Sequence, residues 1–433
     1  MGGGLLQLVA YGAQDAYISG NPQITFWKGL YKRHTNFAME PFRINFTGQA
    51  AWGTKHSAVI PRHADLLYST YLEVVMPAGA FNNDQGRLGY NLIKYVELDI
   101  GGQQIDRLYG EWLYLWDSLT SDVTASAKLW NLVGSGPNTT NATTSSSITT
   151  YTDPNATCTS GRPALPNVLY IPLSFFYTRN PAAALPLIAL QYHEVKLDLQ
   201  WNTADQIAGN FNSASSLPQP VQAAIYVDYI YLDTEERRRM AQESHEYLIE
   251  QTQFNEDKGI ATYNNRIDLT FNHPVKELVW VVQPTEYRQC KAAQGGRQSA
   301  TRLQPFTYDV DAVESQWLQI NGQDRLDKRY GDYFGQVQAY QHHSGLKATV
   351  QGTTIPTPQY GIYNYSFALR PEEHQPSGTC NFSRIDTATI VMNLDGNVPL
   401  NPSTDRTYDV RVYAVNYNIL RIMSGMAGLA YSN

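Results

Sequence analysis

The chain has 433 residues, 32 Lys and Arg against 39 Asp and Glu, and a formal net charge of −7 at pH 7. That length exceeds the ~100–200 residues of a usual single domain, and an acidic balance without a long basic block speaks against binding nucleic acid by phosphate neutralisation. The three cysteines, Cys158, Cys290 and Cys380, are widely spaced; they give neither a disulfide framework nor a zinc spacing and fit a reducing compartment.

The first ten residues lack the basic region and cleavage site of a secretory signal. No apolar run approaches the ~20 residues of a transmembrane helix, so no membrane span is expected. Met1-Gly2-Gly3-Gly4 invites a myristoylation reading, but Leu6 stands where that motif wants Ser or Thr. Residues 1–39 read as an arm outside any barrel. After the Asn21-Pro22 turn, Ile24, Phe26, Trp27, Leu30 and Tyr31 recur at near-helical spacing, with Lys28, Lys32 and Arg33 between them. Such an amphipathic segment packs on its own domain or on a neighbouring chain. Ile24, Phe26, Trp27, Leu30, Tyr31 and Arg33 are the candidate contact residues.

From residue 40 onward the pattern is β. The chain has 30 Tyr and many Val, Ile and Thr, punctuated by Gly and Pro. Residues 224–232 and 408–415 alternate with period two, as strands with one buried face do. Many short strands with frequent turns predict a sandwich or jelly roll rather than an α/β fold.

One motif occurs twice. Residues 100–112 read Ile-Gly-Gly-Gln-Gln-Ile-Asp-Arg-Leu-Tyr-Gly-Glu-Trp, and residues 320–333 read Ile-Asn-Gly-Gln-Asp-Arg-Leu-Asp-Lys-Arg-Tyr-Gly-Asp-Tyr. Tyr109 and Tyr330 lie 221 residues apart, about half the chain. Three further matches follow in the same order: Val74–Pro77 with Val281–Pro284, Ser174-Phe175 with Ser366-Phe367, and Val227–Leu232 with Val415–Leu420. The spacing is far beyond the ~20–50 residues of a solenoid repeat and suits two tandem domains. Asp106, Tyr109 and Gly110, with Asp327, Tyr330 and Gly331, are expected to shape a turn and helix start in each copy. The copies differ in their loops: 134–162, rich in Ser, Thr and Asn, and 285–306 read as exposed insertions, where partners are usually met. The predicted division is an arm at 1–39, a first barrel at 40–233, a linker helix at 234–253, a second barrel at 254–421 and a weakly structured tail at 422–433. Asp233 followed by Glu235 and Glu236 reads as the linker helix start, and Arg237–Arg239 as a salt-bridged helix face.

Catalytic signatures are absent. There is no Gly-x-Ser-x-Gly elbow, no phosphate-binding loop and no His-x-His. The adjacent His342 and His343 would diverge on a strand or a helix, which is poor for shared metal coordination. Asp309-x-Asp311-x-x-Glu314 lacks the glycine turn of a calcium loop. No enzyme activity, metal or cofactor is expected. Asn138, Asn141 and Asn155 head Asn-x-Ser/Thr triplets in the first long loop and are candidate glycan sites only if the chain is exposed to that machinery.

Three segments carry a resemblance. Residues 9–38 (Val-Ala-Tyr-Gly-Ala-Gln-Asp through Thr-Asn-Phe-Ala), 231–251 (Tyr-Leu-Asp-Thr-Glu-Glu-Arg-Arg-Arg-Met through Ile-Glu-Gln) and 421–433 (ending Gly-Met-Ala-Gly-Leu-Ala-Tyr-Ser-Asn) resemble the amino-terminal, central and carboxyl-terminal segments of major capsid proteins of large icosahedral DNA viruses, phycodnavirus- and iridovirus-like. The resemblance implies two tandem eight-stranded antiparallel jelly rolls with short helices, a homotrimer forming a pseudo-hexameric capsomer, contacts with neighbouring capsomers and with minor capsid and penton proteins, and a shell over an inner membrane in a virion assembled in the host cytoplasm. The alternative is a loop-rich carbohydrate- or receptor-binding β-sandwich.

Overall fold

The computed structural model describes residues 3–23, 25–27, 29, 32–76, 88–121, 128–129, 132–133, 167–207, 219–220, 222–285, 312–345, 361–395 and 407–431. They form two compact units, Met1–Phe37 and Ala38–Asn433. The first unit has two short helices, Gly3–Val9 and Asp15–Ser19, neither with a buried residue. Around the second, the Asp15 carboxylate accepts from the Gly12 amide at 2.7 Å, and the Ser19 hydroxyl donates to the Asp15 carbonyl at 2.6 Å. No helix covers the described residues between 20 and 36. The near-helical spacing there leaves Phe26 and Trp27 in the open, at 102% and 86% exposure.

The second unit is all antiparallel sheet with short helices. Its strands are β1 Phe37–Asn45, β2 Lys55–Ile60, β3 Leu66–Met76, β4 Ile93–Ile100, β5 Gln103–Tyr109, β6 Asn167–Pro172, β7 Leu185–Pro186, β8 Val195–Trp201, β9 Gln222–Leu232, β10 His245–Ile260, β11 Asn264–Asp268, β12 Pro274–Pro284, β13 Val313–Ile320, β14 Gln323–Asp324, β15 Arg329–Tyr330, β16 Ile362–Ser366, β17 Cys380–Asn381, β18 Ala388–Leu394, β19 Tyr408–Met423 and β20 Met426–Leu429. They make four sheets: β1-β9-β3-β6 and β2-β8-β4-β5, then β10-β19-β12-β16 and β11-β18-β13-β14. The second pair repeats the strand order of the first, so each half is an eight-stranded jelly roll. β7, β15, β17 and β20 add short rungs to these sheets.

The structure places two of the matched pairs in corresponding strands, whereas Ser174 lies just beyond β6 and Ser366 ends β16, and Tyr109 ends β5 while Tyr330 ends the short β15. Val74 lies in β3 and Val281 in β12, Val227 in β9 and Val415 in β19. The side chains, however, are one residue out of step. Leu72, Val74 and Met76 fill the first core, whereas in β12 it is Leu278, Trp280 and Val282 that fill the second. Val279 and Val281 point the other way and join the first cluster. A one-residue slip in a strand exchanges its faces, so sequence similarity found the strands and missed their register.

Two expectations are corrected. Only Thr234–Gln242 is helical; residues 245–253 belong to β10, which runs against β19 from His245↔Ile422 to Ile260↔Tyr408. The helix fully buries none of its residues; Met240 packs on Leu66, Ala184 and Ile230, Arg237 reaches Asp65 at 3.0 Å, and local ion pairs join Arg238 to Glu235 at 3.2 Å and Arg239 to Glu243 at 3.1 Å. Beyond it, cross-strand pairing overrides helix propensity. The tail, expected to be weakly structured, forms a hairpin over its described residues, which end at Tyr431. Ser424 (φ 52°) and Gly425 (φ 82°) form a two-residue turn between Met423 and Met426, the left-handed pair that a tight hairpin requires, and β20 folds back on β19. There the Ala427 amide meets His193 Nδ1 at 3.2 Å, and the Tyr192 amide donates to the Gly425 carbonyl at 3.0 Å.

Candidate functional site

The two jelly rolls meet along a buried seam. One side is the helix Gly110–Thr120 with the strand β5 that feeds it. The other is the outer face of β10-β19-β12-β16. That face carries Ile249, Val279, Val281, Tyr413 and Val415, which belong to the first half's core cluster. β12 and β19 are therefore buried on both faces, β12 without interruption from Val275 to Gln283.

The first copy of the repeated motif builds this seam. Gly110 opens the helix where a Cβ would lie 2.2 Å from the carbonyl oxygens of both Ile93 and Tyr90, so no larger residue fits. Asp106 is buried and accepts from the Thr252 amide of β10 at 3.1 Å and from the Arg107 amide at 2.8 Å. Burial pushes its pKa up to about 6, although those two amides favour the charged form. The neighbouring Gln251 side chain donates to the Ile105 carbonyl. Tyr109 stacks on Phe254 at 4.6 Å and lies 6.1 Å from Tyr413. Glu111 takes a two-pronged hydrogen bond from Arg411, 2.6 Å on each oxygen, and a third from the Tyr413 hydroxyl at 2.7 Å. A cavity of about 190 Å³ opens beside this group, lined among others by Lys94, Tyr109, Glu111, Phe254, Arg411 and Tyr413.

A second charged cluster lies further along the seam. Glu250 meets Lys276 at 2.7 Å and Arg179 of the first half at 2.8 Å. The guanidinium of Arg179 sits 4.5 Å over the Trp116 ring, and Lys276 lies 5.8 Å from the same ring. Burial would raise the Glu250 pKa, but the His374 hydrogen bond and the charges of Lys276 and Arg179 hold it at about 2. Burial pulls Lys276 below its ordinary value against the attraction of Glu250 and Glu277. His343, with no exposed side-chain surface, lies 3.1 Å from Glu277 and 3.2 Å from Glu372. Burial opposes its charge, yet Glu277 and Glu372 raise its pKa to about 9. The next residues close the seam: the Ser344 hydroxyl donates to the Thr120 carbonyl at 3.0 Å and the Gly345 amide to the Leu119 carbonyl at 2.7 Å.

The second copy of the motif is placed differently. Tyr330 ends β15, and Gly331 begins a helical run over 331–342 whose turn Tyr333–Val337 is π-helical. The local shape of strand end followed by helix recurs, but Asp327 and Asp332 are exposed and Tyr330 is 76% exposed. His342 and His343 diverge: His342 is half-buried, with Nδ1 3.3 Å from the Leu369 carbonyl, and the His343 side chain is buried between its two carboxylates. Among the described residues no group of three or more His, Cys, Asp or Glu is arranged to hold a metal ion. Of the arm residues, Phe26, Trp27 and Arg33 are exposed; Ile24, Leu30 and Tyr31 lie outside the described residues, as do Asn138, Asn141 and Asn155 and the insertion 134–162. Of 285–306 only Thr285 is described. Arg179, Glu250, Lys276 and Arg411 were not singled out from the sequence, and His343 was considered there only with His342 as a poor metal pair. The one visible signal was Lys276-Glu277, two charges inside an apolar strand pattern.

Comparison with known proteins gives this architecture its family. A family model described as major capsid protein N-terminus matches residues 25–233, and one described as large eukaryotic DNA virus major capsid protein matches residues 236–428. The chain is 47% identical over 446 residues to the major capsid protein of Pyramimonas orientalis virus, and 39% identical over 473 residues to that of Paramecium bursaria Chlorella virus 1, with 100% of both chains covered in each case. The solved structure of PBCV-1 VP54 superposes with a TM-score of 0.74 at 33% identity, covering 94% of this chain and 100% of that one. The Faustovirus major capsid protein, 12% identical with a TM-score of 0.69, shares the fold. The chain thus belongs to the major capsid protein family of large eukaryotic DNA viruses, as a structural double jelly-roll protein of the viral capsid.

Proposed function

We propose that three copies of this chain close into a capsomer with a pseudo-six-fold outline, and that such capsomers tile the flat facets of the viral shell. The observation that carries this reading is the paired strand order of the two halves. Two like barrels per chain around a three-fold axis present six like lobes, a shape that packs edge to edge on a plane. The buried seam supports it, because it makes the two barrels one rigid tile. In this reading the chain divides into an arm, two barrels joined by the helix Thr234–Gln242, and a terminal hairpin. The repeated Asp-Tyr-Gly motif serves the fold, and the arm, through Phe26, Trp27 and Arg33, reaches adjoining capsomers, minor capsid proteins or penton proteins. The shell lies over an inner membrane and is put together in the host cytoplasm.

Light scattering of the purified protein tests the core of this reading. The expected mass is three times 48.7 kDa; a monomer at every concentration would overturn it. Removal of residues 1–30 is expected to leave trimers intact and to impair their joining into arrays. Normal arrays from the truncated chain would refute the role of the arm.

A further inference from the structure

The cavity of about 190 Å³ at the junction of the two barrels has no part in the capsomer reading. Its lining comes from both barrels, with Tyr90 and Lys94 from the first and Phe254 and Lys258 from the second. Junctions between domains are common places for small-molecule sites. Burial orders this lining by depth. Tyr90, Glu111, Arg411 and Tyr413 are buried and form the floor, while Lys94 and Lys258 are exposed and stand at the mouth. The floor is fixed by Arg411, which holds both Glu111 oxygens at 2.6 Å. One wall is aromatic: the Phe254 ring lies 4.6 Å from Tyr109 and 5.1 Å from Tyr413. Another is pinned by Asn202, whose side-chain amide donates to the Asn91 and Ile93 carbonyls at 2.7 and 3.3 Å. A cavity held this way before anything enters has little ordering left to pay on binding.

Charge decides what the cavity takes. Glu256 meets Lys258 at 3.1 Å and Glu111 meets Arg411, so each carboxylate of the lining already faces a cation. Lys94 has no ion-pair partner among the described residues. A cationic ligand would have to compete for carboxylates already held, whereas an anionic one finds Lys94 open. Size sets the body of the ligand. An apolar cavity of about 150 Å³ accepts benzene, so a single ring fits here with an acidic group turned toward the mouth. We propose that this cavity binds a small organic monoanion, a flat ring carrying one carboxylate, with the ring against Tyr109, Phe254 and Tyr413 and the carboxylate at Lys94. The ring extends an existing aromatic cluster, and the carboxylate gains a charge-assisted hydrogen bond. Because the lining belongs to both barrels, the ligand ties them together and stabilises the folded chain. The site lies within one chain, so the inference does not depend on the three-copy reading.

The test uses full-length protein and three probes followed by calorimetry: benzoate, acetate as the anion without the ring, and benzamide as the ring without the charge. Benzoate is expected to saturate at one per chain at millimolar concentration and to raise the melting temperature. Acetate and benzamide are each expected to bind at least about tenfold more weakly. Lys94 is exposed, so Lys94→Gln is expected to melt like the parent without ligand and to bind benzoate about tenfold more weakly. Hydrogen exchange gives a reading that needs no variant: benzoate is expected to add protection at 90–94 and at 254–258, one segment from each barrel. No saturable benzoate binding, equal affinity for acetate, an unchanged affinity in Lys94→Gln, or protection confined to one barrel would each overturn the inference.

Discussion

Tyr109 and Tyr330 stand at equivalent points of the two halves and live in different surroundings. Around Tyr109, an Asp-Tyr-Gly-Glu sequence is buried under the second barrel, and every polar member named above has a partner there: Asp106 with Thr252, Glu111 with Arg411 and Tyr413. Around Tyr330, the same pattern faces outward. Identical local chemistry therefore carries opposite energetic weight. A carboxylate in a seam is held by charged hydrogen bonds whose loss leaves a buried cation behind, while a surface carboxylate contributes almost nothing to its own chain.

The sharpest way to break this comparison is to change the paired acids. Glu111→Ala is expected to destabilise the monomer by about 3–5 kcal/mol, the usual result of removing one partner of a buried ion pair. Asp332→Ala should cost under about 0.5 kcal/mol. Urea unfolding of both variants measures the gap, and equal losses would show that the seam is not the source of the difference.

Next in size is a pH effect confined to the seam. His343 has a folded pKa raised to about 9 from 6.5. Its contribution is therefore complete below pH 6.5 and is lost as pH rises through 9, on the order of 3 kcal/mol by linkage. Glu250 has the opposite sign: its pKa is depressed to about 2 from 4.5, so its contribution is present above pH 4.5 and fades as pH falls through 2. Melting temperature plotted against pH should decline on both flanks, and His343→Gln should flatten the alkaline flank alone. An unchanged alkaline flank in that variant would remove His343 from the account.

The smallest expected effect concerns the tyrosines themselves. Tyr109→Ala should cost about 2 kcal/mol, less than a fully buried aromatic because the ring is only half enclosed. Tyr330→Ala should leave monomer stability within about 0.5 kcal/mol. Thermal unfolding at low protein concentration compares the two.

Much of the fold was legible because duplication leaves a collinear trace. The repeated turn and the β12 and β19 strand patterns fall where their sequence patterns indicate. Register was not legible: Val74 and Val281 look alike, but Val74 faces the core of its own barrel while Val281 faces away from its own and joins the first half's cluster. The helix expected through residue 253 stops at Gln242, because pairing of β10 with β19 outweighs local preference. The seam charges were illegible for a related reason. Arg179 and Glu250, or Glu111 and Arg411, are far apart in sequence and meet only once both barrels exist. Lys276-Glu277 could have been flagged, since charges inside a strand buried on both faces need partners.

The doubly buried sheet also has a consequence for biosynthesis. The chain leaves the ribosome amino terminus first, and domains generally fold as they emerge. By the time β12 and β19 are made, the helix Gly110–Thr120 that covers their outer face has already been translated. The second barrel thus completes itself against a surface that preceded it, and its most apolar strands spend the least time exposed to other nascent chains. In a protein synthesised in the large numbers a shell requires, that order of appearance protects the product from its own concentration.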